Sequence, residues 1–398
     1  MIASRMSERR TTILGALLTA IGPMSMAIYT PAMPQLVQVF ATTEAAIKTS
    51  LSLYFAGFAV AQLISGPMSD AYGRRAATLG FLVIYLAGSV IAALAPSVEW
   101  LLAARLIQGI GASVGVTVAR AIVRDQFVGT EAARIMNLIG ITLSVGPAAG
   151  PTIGGLALAS FGWQSVFLLM VGFGLLACAT VAIFMQETAV ADRRWIRPDR
   201  LLAAYAEVLA NRRFLCASMV LAGAVGALYA QSTMLPFVLI DKVGLTPTEF
   251  GAGMLMQTGS YFTGSLSLRY LARRLGGHRS AVLGLCFTAT GGLLIAFSSQ
   301  FVTPSFLSIM LPVGISTFGM AFITPYIITA ALAPFPHIAG SASAMLGFIQ
   351  MSAGFIGGLA AASIGEPLTA FGIIIPTMEL IAVIAYLGFR YTSRHQPA

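Results

Sequence analysis

Few side chains in this sequence could do chemistry, and where they sit narrows what the chemistry could be. The cysteines Cys178, Cys216 and Cys286 stand alone in apolar runs, with no CxxC pair and no disulfide framework. His278, His337 and His395 lack the spacing of a metal site. No Ser/His/Asp set or pair of acids marks a hydrolytic centre, and no GxxxxGK[ST] stretch offers a phosphate cradle. Enzymatic activity, cofactor and metal are therefore not expected. What remains is a handful of ionisable residues within or beside long apolar runs. Arg105 opens RLIQGIGAS, with Gln108 one turn on and on the same helical face. Glu379 lies in PTMELIAV, and Asp70 lies in GPMSDAYGRR at 66–75. Charges in such surroundings are costly and by default functional.

The runs around these residues define the class. The chain has 398 residues, 57% hydrophobic and only 9% charged. Roughly a quarter of the residues of an ordinary soluble domain are charged, so this composition implies a polytopic membrane protein. Apolar runs are expected near 13–39, 46–69, 76–95, 100–123, 134–160, 163–185, 214–239, 250–273, 279–298, 304–332, 341–362 and 369–390. Each reaches about 20 residues, enough to cross the bilayer core. The fold expected is an all-α membrane protein of twelve helices. A signal peptide is not expected, because the first run continues well past a typical apolar signal core. A filter-like TVGYG run and a ring of acids, the marks of a channel, are absent from the sequence.

Basic residues give the orientation. The formal net charge of +9 could indicate nucleic acid binding, but the arginines lie between the apolar runs and alternate from one connection to the next. Arg5, Arg9 and Arg10 precede the first run, Arg74 and Arg75 follow the second, and Arg120, Arg124 and Arg134 flank the end of the fourth. Arg193, Arg194, Arg197, Arg200, Arg212 and Arg213 occupy the middle connection. Arg269, Arg273, Arg274 and Arg279 separate runs eight and nine, and Arg390 and Arg394 end the chain. Only Lys48 and Lys242 fall on the other side. Both termini are thus expected in the cytoplasm of a bacterial inner membrane, with the lipid bilayer as partner and no nucleic acid.

The middle connection splits the runs six and six. The expected division is an N-terminal bundle at 1–188, a cytoplasmic linker at 189–213 and a C-terminal bundle at 214–398. Within the linker, Leu201, Leu202, Tyr205, Val208 and Leu209 share one face, which suits an amphipathic helix on the membrane surface; a solvated tether is the alternative. The halves echo each other weakly, RAATLGF at 75–81 against RSAVLGL at 279–285. Duplicated bundles of this kind are common among secondary transporters.

GITLSVGPAAGPTIGG, from Gly140 to Gly155, places Gly146, Gly150 and Gly154 in one row of a helix, beside Gly155. A facing helix can come close along such a row, and Pro147 and Pro151 distort the backbone locally. A merely well-packed, kinked helix would read the same way. The doubled Gly-Pro and closing Gly-Gly also resemble the antiporter signature in the fifth helix of drug exporters of the major facilitator superfamily. RLIQGIGAS resembles that superfamily's fourth-helix motif, whose arginine, here Arg105, is linked to proton coupling. GPMSDAYGRR resembles its loop signature between helices two and three. By that resemblance Gly66, Asp70, Gly73, Arg74 and Arg75, with Arg120, form a cytoplasmic gate that latches against helix eleven; Ala71 replaces the usual basic residue there.

IYTPAMPQL at 28–36, ARAIVRDQF at 119–127, GWQSVF at 162–167 and PFVLIDKVGLTPTEFG at 236–251 resemble the bicyclomycin and chloramphenicol resistance branch of twelve-helix drug:proton antiporters. That branch usually carries an acid two residues before the tyrosine of helix one. Here the position is Ala27, before Tyr29. Glu379, in helix twelve, is then either a coupling acid or a packed residue hydrogen-bonded to a neighbour. The resemblance implies a central cavity lined by Tyr29, Tyr54, Gln62, Gln108, Tyr229, Gln231, Gln257, Tyr326 and Gln350, with ordinary helix packing as the alternative for each aromatic. The implied function is alternating-access export of small molecules such as phenicols or bicyclomycin, coupled to protons, by a monomer. Its alternative is export of one native metabolite without proton coupling.

Overall fold

A computed structural model describes residues 6–188 and 196–394. Arg5 of the basic arm, Arg193 and Arg194, and the first part of the expected linker lie outside the described residues. The chain is helical throughout the described residues, in the order α1 (Glu8–Tyr29), α2 (Met33–Val39), α3 (Glu44–Tyr72), α4 (Arg74–Ala93), α5 (Val98–Ala112), α6 (Val114–Gln126), α7 (Gly129–Phe161), α8 (Gln164–Phe184), α9 (Pro198–Ala210), α10 (Arg212–Ser232), α11 (Pro247–Phe301), α12 (Phe306–Leu332), α13 (Ala339–Ile364) and α14 (Pro367–Arg394).

Among the described residues, ten helical segments are long and apolar enough to cross a membrane. In that measure α1 and α2 form one segment, as do α5 and α6. The helix α7 and the first half of α11 stand at the fifth and eighth expected positions. The continuous run of α11 is two helices: Gly276, at φ +72, turns the chain between them in a conformation that glycine adopts freely. Start signals are local. Thr246 and Glu249 make a capping box at the head of α11, Ser305 and Ser308 another at α12, and Thr43 caps α3 by accepting from the Ala46 N–H.

Leucine and phenylalanine side chains stand fully out on the flanks, Leu293 at 71% and Phe161 at 81% exposure. On a soluble protein such surface would aggregate; it is the kind of surface that a bilayer accommodates. One buried apolar cluster is drawn from Met6 to Met185, joined by Phe237, and two others come from Val208 onward. This is the pseudo-symmetric pair of six-helix bundles. RAATLGF opens α4 and RSAVLGL lies in the second half of α11, so the echo falls on equivalent third helices of the two bundles.

The halves meet along two helix pairs. Along α3 and α13, Ser52 faces Gly358 and the Gln62 amide faces Gly347. Across α7 and α11, Gly155 faces the backbone of Pro247, Gly251 faces Pro151, and the Thr152 hydroxyl donates to the Gly251 carbonyl at 3.0 Å. The amphipathic segment is the helix α9. Its Val208 is buried, the Tyr205 hydroxyl donates to the Leu63 carbonyl of α3 at 2.6 Å, and Glu207 meets His337 at 2.8 Å. Leu202 and Leu209 of the same face remain exposed. The helix therefore touches both halves at the end that carries the N terminus.

Candidate functional site

The fourth run brings Arg105 and Gln108 to one face of α5, as one-turn spacing requires. Both are fully buried. The Arg105 Nη1 donates to Gln108 Oε1, and Gln108 Nε2 in turn donates to Ser89 Oγ at 2.7 Å and meets Met170 Sδ at 3.1 Å. The guanidinium lies between two aromatic faces, 4.3 Å from the Tyr29 ring centroid and 4.5 Å from that of Tyr54. Each ring is fixed from elsewhere: Tyr29 OH and Ser50 Oγ are 2.6 Å apart, and Tyr54 OH donates to the Gly22 carbonyl at 3.0 Å. The structure thus gathers Tyr29, Tyr54, Arg105 and Gln108 from α1, α3 and α5 into one cluster.

The balance of this cluster is uneven. A buried ion costs several kcal/mol, about that much even after relaxation, unless it is paired. A desolvated cation–π contact returns about 2 kcal/mol and a hydrogen bond to a charged group about 1.5–3 kcal/mol. Yet Arg105 Nε and Nη2 have no hydrogen-bond partner, and no ion pair to Arg105 is present among the described residues. Each empty donor forfeits about 1–3 kcal/mol. Ala27, at the place where the family's acid is expected, packs its methyl against Gly150 instead.

The other expected cavity residues divide. Gln62 is buried at the seam beside Gly347, with its Oε1 unpartnered. Tyr229 of α10 packs tilted against Phe55 of α3, ring centroids 5.4 Å apart, and so joins the halves. Gln231 and Gln257 are buried, the latter with Nε2 3.5 Å from Thr317 Oγ1. Gln350 is half-buried on α13, with its carbonyl near Gly226. Tyr326 stands apart inside the C-terminal bundle, packed on Gly277 and edge-on to Phe389. Glu379 also stands apart. It is buried on α14 against Gly292, accepts from the Ser316 hydroxyl, and leaves its Oε2 unpartnered.

At the N-terminal end, Gly73 turns at φ +95 and α4 starts at once. Glu187 caps that start, accepting from the Arg74 N–H at 2.6 Å and the Arg75 N–H at 3.2 Å. The Arg74 side chain pairs with Asp70, with Asp125 at 3.0 Å and with Ser69 Oγ at 2.7 Å. Asp70 therefore finds its partner inside its own half. The bond to α13 comes from Arg120, whose Nη1 donates to Ser343 Oγ at 2.5 Å. Gly66 lies against Thr117. In α7, Gly146, Gly150 and Gly154 face Met24, Ala27 and the Ile28 carbonyl of α1, within one half, while Gly155 and the buried Pro151 reach the other half. The side chain of Pro147 lies outside the described residues.

The sequence reading missed a second cross-half cluster at the opposite end. Lys48, fully buried, donates to Glu44 at 3.1 Å and to the Gly365 carbonyl at 3.2 Å, and lies over the Phe237 ring. Lys242 and Glu366 pair beside it at 3.1 Å. Burial, then the nearby Glu44 carboxylate, push the Asp241 carboxyl above its ordinary value. The π-helical turn Phe237–Lys242 places these groups. Its only sequence signal was that Lys48 and Lys242 broke the charge alternation.

Comparison with known proteins decides the family. The Major Facilitator Superfamily pattern matches residues 15–358. The chain belongs to the major facilitator superfamily. Among relatives of this facilitator, Multidrug resistance protein D of Escherichia coli (strain K12) is 26% identical, over 96% of this chain and 95% of its own. The Chloramphenicol resistance protein of Pseudomonas aeruginosa is 26% identical, over 98% of this chain and 92% of its own. The crystal structure of D-xylose-proton symporter superposes with a TM-score of 0.72 at 14% identity, covering 94% of this chain and 97% of that one. The facilitator fold of the chain is thereby shown, and its bacterial relatives place it among multi-pass membrane transporters.

Proposed function

We propose that this facilitator is a secondary active multidrug exporter working by alternating access, with both termini in the cytoplasm and the monomer as the working unit. Cargo such as phenicols or bicyclomycin moves outward in exchange for protons. The observation that carries the reading is the construction of the seam. The two bundles touch along glycine-smoothed pairs, Gly347 and Gly358 of α13 against α3, and Gly155 against Pro247 and Gly251 against Pro151 across α7 and α11. Polar bonds sit at both ends, Arg120 to Ser343 at one and Lys48 to Gly365 at the other. Smooth faces can shift and end bonds can exchange, which is what rocking around a central site requires. The multidrug and chloramphenicol resistance names of the relatives support the cargo class. Arg105 and Glu379 are the coupling candidates; Gly66, Asp70, Gly73, Arg74, Arg75 and Arg120 form the cytoplasmic gate.

One observation favours a second reading. Ala27 leaves the position two residues before Tyr29 without an acid, and among the described residues Arg105 has no carboxylate partner. Export of one native metabolite without proton coupling follows if the proton has no carrier. Everted membrane vesicles energised with a pH gradient separate the two. Uptake of labelled chloramphenicol that collapses with a protonophore, and is lost in Arg105→Ala or Glu379→Gln, is the outcome expected for proton antiport. Uptake indifferent to the gradient would remove the coupling and leave export standing.

A further inference from the structure

The guanidinium of Arg105 has one edge occupied and one edge empty. Nη1 is held by Gln108, whereas Nε and Nη2, the two donors of the side-on edge, have no partner. Those two N–H bonds run parallel at the spacing of a carboxylate's oxygens, the geometry of a bidentate pair. The residue is fully buried, and its flanking contacts are the faces of Tyr29 and Tyr54. Tyrosine faces steady a cation but supply no counter-charge. The hydroxyls of both rings are already committed, to Ser50 and to the Gly22 carbonyl. The amide of Gln108 is committed as well. The site is therefore built with one edge unpaired, and its charge is neutralised by no side chain among the described residues.

We propose that the counter-charge comes from the cargo: Arg105 receives the carboxylate of a small organic acid on its Nε–Nη2 edge, between the Tyr29 and Tyr54 rings. This rests on the export reading and names its cargo class. A carboxylate-bearing compound with a flat apolar body satisfies both the empty donors and the aromatic walls. A permanent cation is repelled, since nothing in the cluster is negative. Neutral drugs bind through the walls alone and gain nothing from the empty edge. In the conformation described the edge is covered, so admission of cargo requires α1 and α3, both of one half, to let the two rings part.

Thermal stabilisation of the purified full chain in detergent tests this with simple acids as probes. The series runs through monocarboxylates from acetate to 2-naphthoate, each paired with its neutral amide, with sodium chloride and sodium phosphate as inorganic controls. At least one aryl acid is expected to bind at least about tenfold tighter than its amide, and Arg105→Lys, which keeps the charge but loses the fork, to erase that preference. Acids and amides stabilising wild type equally would overturn the proposal, as would stabilisation by phosphate or chloride matching that of the acids. Retention of the preference in Arg105→Lys would overturn it as well. The wild-type comparison needs no variant to fold. Chloramphenicol uptake into everted vesicles by the same protein keeps the two readings apart. Uptake without an acid preference sinks only the carboxylate, and an acid preference without uptake of any compound sinks export.

Discussion

Glu366 shows how one side chain can serve two elements. It stands immediately before Pro367, the first residue of α14, and its carboxylate accepts from the Thr369 N–H at 2.5 Å while pairing with Lys242 of the π-helical turn. Partial burial alone would raise its pKa; the Thr369 N–H and hydroxyl and the Lys242 ammonium outweigh that and hold it below the ordinary carboxylate value. The stabilisation is thus complete above the ordinary carboxylate range and is lost as pH falls through the depressed value. Glu366→Ala is expected to cost about 1 kcal/mol, mostly as a lost cap, since the exposed ion pair contributes little. Thermal midpoints measured from neutral to acidic pH should converge for variant and wild type at the acid end. A gap that persists at low pH would assign the effect to something other than the carboxylate. At this scale Arg105 and Gln108 were legible in the sequence, because an arginine in an apolar run has few uses. The sandwich of Arg105 between Tyr29 and Tyr54 was not, because the three helices involved are brought together only by packing. Glu187 was equally silent, an acid in a polar connection whose role as a cap on α4 depends on how α8 returns.

At the scale of elements, α7 has two faces built by one glycine pattern. Gly154 leaves the α1 backbone at Ile28 close enough that an added Cβ would strike a carbonyl, which cannot rotate away as a side chain could. Gly140, in the same helix, has nothing within 4 Å of such a Cβ. Gly154→Ala should therefore destabilise by roughly 1–3 kcal/mol and abolish transport, while Gly140→Ala should be neutral or stabilise by up to about 1 kcal/mol. Thermal midpoints of the purified variants, with chloramphenicol uptake alongside, check both. Equal behaviour of the two would mean that α1 and α7 do not rely on this approach. The row of small residues was visible from spacing alone. Its partner was not: three of the glycines serve packing inside one half, and only Gly155 meets the other half, at Pro247. Gly251, which completes that crossing, is one glycine among 41 in the sequence and carries no signal by itself.

At the scale of the whole molecule, the proposed alternating access requires the halves to part. Ser52 and Gly358 face each other across that seam, and a Cβ at 358 would stand 3.4 Å from the Ser52 Cβ, close to the separation a disulfide spans. In a background with Cys178, Cys216 and Cys286 replaced, Ser52→Cys with Gly358→Cys is expected to cross-link on oxidation, to halt vesicle uptake, and to recover with a reductant. Uptake that continues at full rate in the cross-linked protein would show that α3 and α13 stay together during transport. The helix α9 belongs to this scale too. It touches α3 through Tyr205 and the α13 side through Glu207, and burial pushes the Tyr205 pKa up to about 12, so that hydroxyl keeps its proton through the physiological range.

The sequence by itself determined the class, the run of helices and their order. Apolar length and glycine spacing are local properties, and continuous apolar runs of about 20 residues satisfy a spanning backbone as helices, each within its own segment. It also exposed the lone arginine and the missing acid, since both are matters of composition within a single run. The tertiary structure alone decided the partners: which edge of Arg105 is empty, that Asp70 pairs within its own half while Arg120 reaches across, and that Lys48 closes the far end. Those facts depend on distances between residues far apart in the chain. Such distances are fixed by the packing of whole helices against one another, to which no single stretch of sequence has access.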